Sequence, residues 1–238
     1  GNFLRGDFGV SYTKAGLTVN KVIADGFPFS LTIGIYASLV VVFAGILFGS
    51  VCALRQNKLI DRFFMVLSTL GSTIPSFVLA TGFLFLFSKT LGLVPAFGVD
   101  EVAGYIGPVL VIGAFPLSFI TRLTRTSLVE VQQQDYIRTA RSKGISEFKV
   151  IYKHALRNAL LPVVTYIGPM VASIVTGSFV IETVFGIPGV GQLFTDSIVN
   201  RDYPLIMGIT VFFAVLLVLA VLIVDLVYVL IDPRIKLD

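Results

Sequence analysis

The residues able to carry chemistry in this sequence are few, and they lie far apart. His154 is the only histidine and Cys52 the only cysteine among 238 residues. One imidazole without a neighbouring carboxylate or thiol cluster forms neither a metal site nor a nucleophile–base pair. Cys52 falls inside an apolar run, where a cysteine usually acts as a small buried apolar residue. These residue types and spacings predict no catalytic residue and no metal site.

A nucleotide-binding loop is also missing from the sequence. The pattern of Gly, four residues and Gly-Lys-Ser or Gly-Lys-Thr, whose backbone N–H groups cradle phosphates, does not occur. The chain therefore cannot hold ATP in that way. Two acidic residues close to apolar runs, Glu182 and Asp225, remain as candidates, since a charge within a membrane suggests function by default. Both are expected near the ends of the runs, and for Asp225 pairing with a basic residue is favoured over proton relay.

Composition places these residues in a membrane protein. Hydrophobic residues make up 55% of the chain and charged residues only 13%, whereas about a quarter of an ordinary soluble domain is charged. Apolar runs of about 20 residues, enough to cross the hydrocarbon core of a bilayer, recur along the sequence. Lys and Arg lie between these runs without interleaved aromatic rings, so the net charge of +4 indicates topology and no nucleic-acid partner.

Five apolar runs predict five transmembrane helices in an all-α protein. The spans are expected at residues 29–54, 63–88, 105–121, 161–183 and 205–231. The third is short and contains Pro108 and Pro116, which a membrane helix tolerates where neighbouring helices satisfy the freed backbone groups. The transmembrane domain is therefore predicted to extend over 29–231.

The basic residues decide the predicted orientation. Thirteen of the 18 Lys and Arg residues lie in the first connection, the third connection and the tail, and short basic segments stay in the cytoplasm. The others are Arg5, Lys14, Lys21, Lys89 and Arg201. We therefore predict an external segment at 1–28, a cytoplasmic connection at 122–158 and a cytoplasmic tail at 232–238. An external start of this kind normally follows an earlier span or a signal sequence, so a further N-terminal span is expected.

The connection 122–158 is long enough to be functional. No Gly or Pro interrupts 127–143, which predicts one helix that ends at Gly144. Ser146 suits the N-cap of a second helix. The apolar face of that helix carries Phe148, Ile151, Tyr152, Ala155 and Ala159. On physical grounds the second helix either inserts into a groove of a partner or lies on anionic lipid headgroups, and both interpretations stay open.

The connection resembles the cytoplasmic signature of binding-protein-dependent ABC importer permeases. That signature reads Glu-Ala-Ala, three residues, Gly, nine residues, Ile, one residue and Leu-Pro. The positions that fit are Ala140, Gly144 and Leu156, and those that depart are Arg138, Thr139, His154 and Arg157. The dipeptide and oligopeptide branch of the family shares these departures. It is also similar in four further segments: 6–9 (GDFG), 182–193 (ETVFGIPGVGQL), 200–203 (NRDY) and 232–234 (DPR).

The resemblance implies a type I ABC importer permease fold and a coupling role for the turn at Gly144. In that family a short helix around the signature glycine docks into a cytoplasmic ATPase and transmits its ATP-driven closure to the spans. The coupling residues implied here are Ala140, Arg141, Lys143, Gly144, Ile145, Ser146, Glu147 and Phe148. Ile145 and Phe148 would supply apolar contact, while Lys143 and Glu147 would fix the register by charge.

Small and hydroxyl residues of the second and fourth spans form a candidate translocation path, although helix packing is the commoner role of such residues. They are Ser72, Thr73, Ser76, Ser173, Thr176 and Ser178. Transport by alternating access is the implied mechanism, with peptides or a related small solute, including nickel complexes, as cargo. The sequence does not identify which of these is carried.

The resemblance also implies partners. They are a second homologous permease subunit, two cytoplasmic ATPase domains that hold ATP and magnesium, an external substrate-binding protein, and the lipid of a bacterial or archaeal cytoplasmic membrane. The chain itself is expected to bind no cofactor and to be no enzyme. Two other functions stay open. One is an ion-gradient-driven transporter, which normally shows an internal repeat that this sequence lacks; the other is a channel or scaffold subunit whose basic connection binds lipid headgroups.

Overall fold

The computed structural model describes residues 6–99, 101–176 and 178–231. Its helices, in chain order, are α1 Val19–Leu54, α2 Leu59–Thr73, α3 Ser76–Phe83, α4 Ile106–Gln132, α5 Asp135–Ser142, α6 Glu147–Lys149, α7 Leu156–Ala159, α8 Leu161–Val175, α9 Phe179–Phe185, α10 Val190–Val199 and α11 Tyr203–Ile231. Shorter helical turns are Leu84–Thr90 after α3, Val102–Tyr105 before α4 and Val150–Ala155 between α6 and α7. The predicted all-α class is confirmed. Arg5, Asp100, the tail 232–238 and the side chain of Asp225 lie outside the described residues.

Three helices in the described part of the chain are long and apolar enough to cross a membrane. They are Val19–Leu54, Val102–Gln132 and Tyr203–Ile223. Two bent pairs raise the number to five if each pair forms one span: Leu59–Thr73 with Ser76–Thr90, and Glu147–Ala159 with Leu161–Val175. The five predicted spans correspond to this upper number, and the fifth is close to the observed α11.

The first helix begins earlier than predicted. It starts at Val19, inside the segment 1–28 that the sequence assigned to a polar external region. Its 36 residues give a length of about 54 Å at 1.5 Å per residue, well beyond the hydrocarbon core. Packing explains the additional turns, because they supply half of a buried apolar cluster. That cluster comprises Val19, Val22, Ile23, Val190, Leu205 and Ile209.

The second predicted span, 63–88, is wrong as a single helix. α2 ends at Thr73, Ile74 is extended (φ −78°, ψ 127°), and α3 follows Pro75. The two helical segments are bent by 110°. Proline lacks the backbone N–H and disfavours the helical conformation at the residue before it, so the chain leaves the helix at this point.

Three further predicted helices need correction. The third span is not confined to 105–121, because α4 continues through Pro116 to Gln132. The predicted helix 127–143 is therefore divided between α4 and α5, with an extended Gln134 (φ −71°, ψ 147°) before α5. The fourth span ends at Val175, and α9 is a separate short helix. Neither Gly nor Pro marks the break at Gln134; the break allows α5 to pack on α4.

The chain divides into two compact units. The first consists of Gly1–Ser38, Pro75–Ile112 and Val171–Asp238, and the second of Leu39–Ile74 and Gly113–Met170. The cluster around Val19 and Ile209 is the core of the first unit. The second unit has its own cluster: Ala53, Leu128, Ile137, Ala140, Val150, Ala155 and Ala159.

Candidate functional site

The predicted turn at Gly144 separates α5 from α6. Gly144 has φ +74°, in the left-handed region that favours glycine. Its N–H donates to the carbonyl of Arg141 at 3.0 Å, and the N–H of Ile145 donates to the carbonyl of Ala140 at 3.3 Å, so these two carbonyls near the end of α5 are satisfied. Ser146 occupies the N-cap position of α6, as predicted, although its side chain makes no capping hydrogen bond.

A two-point ion pair closes this turn. Arg141 Nη2 lies 2.7 Å from Glu147 Oε1, and Arg141 Nε lies 3.2 Å from Glu147 Oε2. The sequence hypothesis gave Glu147 a charge contact with a partner, and that contact stays a prediction; in the structure Glu147 pairs with Arg141 within the segment. Lys143 is exposed. The pair lies at the surface, so it contributes more to the shape of the turn than to stability.

The segment on both sides of the turn is anchored to α4. Ile137, Val150 and Ala155 are fully buried in one cluster with Leu128 of α4. Ile145 is partly buried against the same cluster. Part of the Ile145 side chain is therefore left for the apolar contact predicted for it, and that contact stays a prediction. The segment is therefore closely packed on α4.

An aromatic pair remains uncovered beside the turn. Phe148 is 69% exposed and Tyr152 is 54% exposed. Their ring centroids lie 4.4 Å apart. The predicted apolar face of the second helix is thus divided, because Ala155 and Ala159 pack inward while these two rings point outward. Phe148 fits its predicted role as an apolar contact residue, and Tyr152 extends that surface.

The six residues of the predicted translocation path are not brought together within either unit. Ser72 and Thr73 belong to the second unit, and the other four to the first. Several hydroxyls bond to their own helix or cap: Ser72 Oγ donates to the carbonyl of Thr69, Thr176 Oγ1 donates to that of Ser173, and Ser178 Oγ accepts from the N–H of Ile181. These bonds suit helix packing. Ser76 and Ser173 are exposed, and the path stays a prediction.

A buried ion pair in the second unit was not predicted from the sequence. Arg125 of α4 holds Asp61 of α2 through two hydrogen bonds, at 2.6 and 2.8 Å. Asp61 also accepts the backbone N–H of Asn57 at 2.8 Å, and Asn57 itself has φ +64°. A lone acid within a basic turn was the available signal. Its partner could not be read from the sequence because it lies 64 positions away.

A second buried acid joins distant segments of the first unit. Asp202, in one of the segments that carry the family resemblance, is fully buried. It accepts hydrogen bonds from the hydroxyls of Ser11 and Thr13 and from the backbone N–H groups of Tyr12 and Thr13. Burial alone raises the pKa of Asp202, but these hydrogen bonds outweigh it and lower the pKa to about 2. The carboxylate therefore fixes the loop before α1 onto the start of α11.

Glu182 is buried and structural. It is 1% exposed, and its Oε2 accepts the N–H groups of Gly191 at 2.8 Å and Gln192 at 3.2 Å. These are free N–H groups of the first turn of α10, so Glu182 caps that helix from a neighbouring one. Ser30 Oγ accepts a third, from Val190, at 2.9 Å. The sequence placed Glu182 near the end of the fourth span; it lies instead in α9, and this capping role explains why it is buried there.

Several apolar helices long enough to cross a bilayer, some of them sharply broken, are typical of a multi-pass membrane protein. Residues 45–237 match the family described as binding-protein-dependent transport system inner membrane component, and the chain belongs to that family. It is therefore a multi-pass permease subunit of an ABC importer and not an enzyme. The family requires no cofactor of the permease itself.

Relatives and solved structures agree with this assignment. The chain is 49% identical over 231 residues to the dipeptide transport system permease protein of Bacillus subtilis, covering 97% of this chain and 75% of the relative. It is 43% identical over 237 residues to the oligopeptide transport system permease protein of Haemophilus influenzae, covering 99% and 78%. The resemblance to the dipeptide and oligopeptide branch is confirmed.

The fold is similar to those of solved ABC transporters. An inward-facing structure of the MetNI methionine ABC transporter matches with a TM-score of 0.70 at 16% identity, covering 87% of this chain and 94% of that chain. A crystal structure of an amino acid ABC transporter with histidines matches with a TM-score of 0.68 at 15% identity, covering 91% and 95%. The predicted type I importer fold is thereby confirmed.

Proposed function

We propose that this permease imports dipeptides or oligopeptides by alternating access, and that the segment from Ala140 to Phe148 docks into a separate ATPase. The substrate class rests on one observation: 49% identity, over 97% of this chain, to a dipeptide transport system permease protein.

The docking role is supported by a combination of rigidity and exposure. The segment is anchored in the core of the second unit by Ile137, Val150 and Ala155. Because that core is closely packed, the segment would keep its position when a partner binds. Phe148 at the end of the segment and Tyr152 just after it remain uncovered. An exposed aromatic pair on a fixed helical turn suits insertion into a partner's cleft, since buried aromatic residues are common anchors of protein interfaces.

The remaining parts of the proposed transporter lie on other chains. Two ATPase domains would hold ATP and magnesium and would bind at the connection 122–158, with the C-terminus on the same cytoplasmic side. A second homologous permease would complete the membrane part, and an external binding protein would deliver the peptide. The asymmetry in Lys and Arg supports this orientation.

Copurification with the candidate ATPase tests the coupling assignment. The full-length permease is compared with Gly144→Glu, Phe148→Ala and Tyr12→Ala variants. Tyr12 is 73% exposed in the first unit, so its replacement removes a similar exposed ring far along the chain. We expect Phe148→Ala to weaken ATPase binding about tenfold, Gly144→Glu to abolish it, and Tyr12→Ala to leave it unchanged, with membrane insertion intact in all three.

Uptake of labelled dipeptides and tripeptides into vesicles completes the test. Uptake should require ATP and should fall in step with ATPase binding across the variants. An unchanged complex in Gly144→Glu would contradict the coupling assignment. Uptake that does not depend on ATP and is driven by an imposed ion gradient would contradict the importer mechanism. ATP-dependent uptake of a solute other than peptides would contradict only the substrate class.

A further inference from the structure

The turn between α1 and α2 forms an open, basic hollow. Its volume is about 540 Å³, and its lining comprises Arg55, Asn57, Lys58, Leu59, Ile60 and Arg62. Three of these six side chains are cationic and none is acidic. All three cations are exposed. The positive charge around the hollow therefore suits an anionic ligand.

The one acid within this turn is unavailable to the three cations as a direct partner. Asp61 is 2% exposed, and its oxygens are occupied by Arg125 and by the N–H of Asn57. The ion pairs found in the described part of the chain are Arg125–Asp61, Arg138–Asp135 and Arg141–Glu147. Arg55, Lys58 and Arg62 take part in none of them. The same contacts of Asp61 fix the turn, and this holds the three basic residues at one hollow.

Exposed apolar side chains adjoin the cations. Leu59 is 83% exposed and Phe63 is 63% exposed. Both belong to the first turns of α2, which forms a candidate membrane-spanning pair with Ser76–Thr90. A ligand that satisfies this surface therefore needs an anionic group for the hollow and an apolar part for the adjacent helix. A free inorganic anion supplies only the first of these.

We propose that this hollow binds the phosphate headgroup of an anionic phospholipid, with the acyl chains lying along Leu59 and Phe63. Positive charge near a membrane surface attracts anionic lipids, and this structure concentrates that charge at one hollow next to exposed apolar side chains. Because a bound lipid would contact the turn that Asp61 joins to α4, its occupancy stabilises the arrangement of α2 and α4 in the second unit. The proposal does not depend on which solute the permease carries.

Lipid titration of the purified full-length permease complex tests the site. Native mass spectrometry measures retention of phosphatidylglycerol and of phosphatidylcholine by the native protein and by an Arg55→Gln/Lys58→Gln/Arg62→Gln variant. Each basic residue at an anionic surface contributes roughly fivefold in affinity, so the triple variant should lose about a hundredfold in phosphatidylglycerol affinity. A Lys14→Gln/Lys21→Gln/Lys89→Gln variant removes the same charge from other positions and should keep the native affinity.

Four comparisons separate the proposed ligand from other occupants. Leu59→Gln should weaken phosphatidylglycerol binding and leave glycerol phosphate binding unchanged. Equal loss of affinity in both triple variants would show a general charge effect and overturn the site. If inorganic phosphate displaces the lipid and binds with equal affinity, the hollow is a site for a free anion. If the Arg55→Gln/Lys58→Gln/Arg62→Gln variant loses ATPase binding but retains lipid, the hollow is a site for a protein. Lys58→Gln alone repeats the test at roughly fivefold if the triple variant does not fold.

Discussion

Arg125 and Asp61 form a two-point ion pair inside the second unit, with Nε 2.6 Å from Oδ1 and Nη2 2.8 Å from Oδ2. The carboxylate is buried, whereas the arginine side chain is 23% exposed. The pair joins the first turn of α2 to α4, and through Asn57 it also fixes the turn before α2. A pair of this kind positions two helices relative to each other more than it adds net stability.

Removing one partner of this pair should cost more than removing both. We expect Asp61→Ala to lower the free energy of unfolding by about 3 kcal/mol, because Arg125 then loses its partner in a partly buried position. Asp61→Leu combined with Arg125→Met should cost less than Asp61→Ala. Denaturant titration of the detergent-solubilised protein measures both, and a double-mutant cycle with the single variants gives the coupling. Additive effects of the two single changes would contradict the pairing.

Gly144 is required for its backbone conformation and not for lack of space. A Cβ built at this position meets no atom within 4 Å, yet φ is +74°. Left-handed backbone costs a non-glycine residue about 1 kcal/mol and costs asparagine less. We therefore expect ATPase copurification to decrease in the order Gly, Asn, Ala, Val at position 144. Equal loss for Asn and Val would show that side-chain bulk at the interface decides, and not the turn.

The apolar runs of the sequence located most membrane helices, because about 20 apolar residues have few other solutions. The end of α1 at Leu54 and the position of α11 illustrate this. The break at Pro75 could not be predicted from the apolar runs, because a proline in a membrane helix produces anything from a small kink to a full break. Neighbouring groups that satisfy the freed carbonyls decide the outcome.

The turn of the candidate site was predictable, whereas its contacts were not. Gly144 followed by Ser146 is a local signal, and the structure has the expected left-handed glycine there. The break at Gln134 has no local signal, because it depends on Ile137 packing with Leu128. Asp202 likewise meets Ser11 across 191 positions. Pairings of this kind follow from tertiary structure and leave no pattern in a single sequence.

Asp202 should make stability depend on acid pH. Its folded pKa of about 2 lies below the ordinary value of 3.8, so its contribution is fully present above about pH 4 and is lost as the pH falls towards 2. A shift of this size corresponds to about 2 kcal/mol. We expect Asp202→Asn to be less stable than the native protein at pH 7, with the difference vanishing near pH 2 in denaturant titrations. Asp25→Asn, which removes an exposed carboxylate, is the matched control and should show no such convergence.

Gly189 lies so close to Glu182 that it has no room for a side chain. A Cβ at Gly189 would overlap Glu182 Oε2 and would lie 2.6 Å from Ser30 Oγ, whereas one at Gly191 would lie 2.9 Å from the same carboxylate oxygen. Glu182 cannot move aside cheaply, because it is buried and caps α10 through Gly191 and Gln192. We expect Gly189→Ala to lower the free energy of unfolding by about 3 kcal/mol and Gly191→Ala by about 1 kcal/mol.

A second change tests whether the overlap with Glu182 causes this loss of stability. Glu182→Ala removes the obstructing carboxylate and costs about 2 kcal/mol by leaving the N–H groups of Gly191 and Gln192 without their acceptor. If overlap is the cause, Gly189→Ala in the Glu182→Ala background should add less than 1 kcal/mol of further destabilisation. The same denaturant titration measures the double variant. Full additivity would instead place the cost of Gly189→Ala in the remaining close approach to Ser30 Oγ or in the backbone, and the close approach of Glu182 would then not explain this glycine.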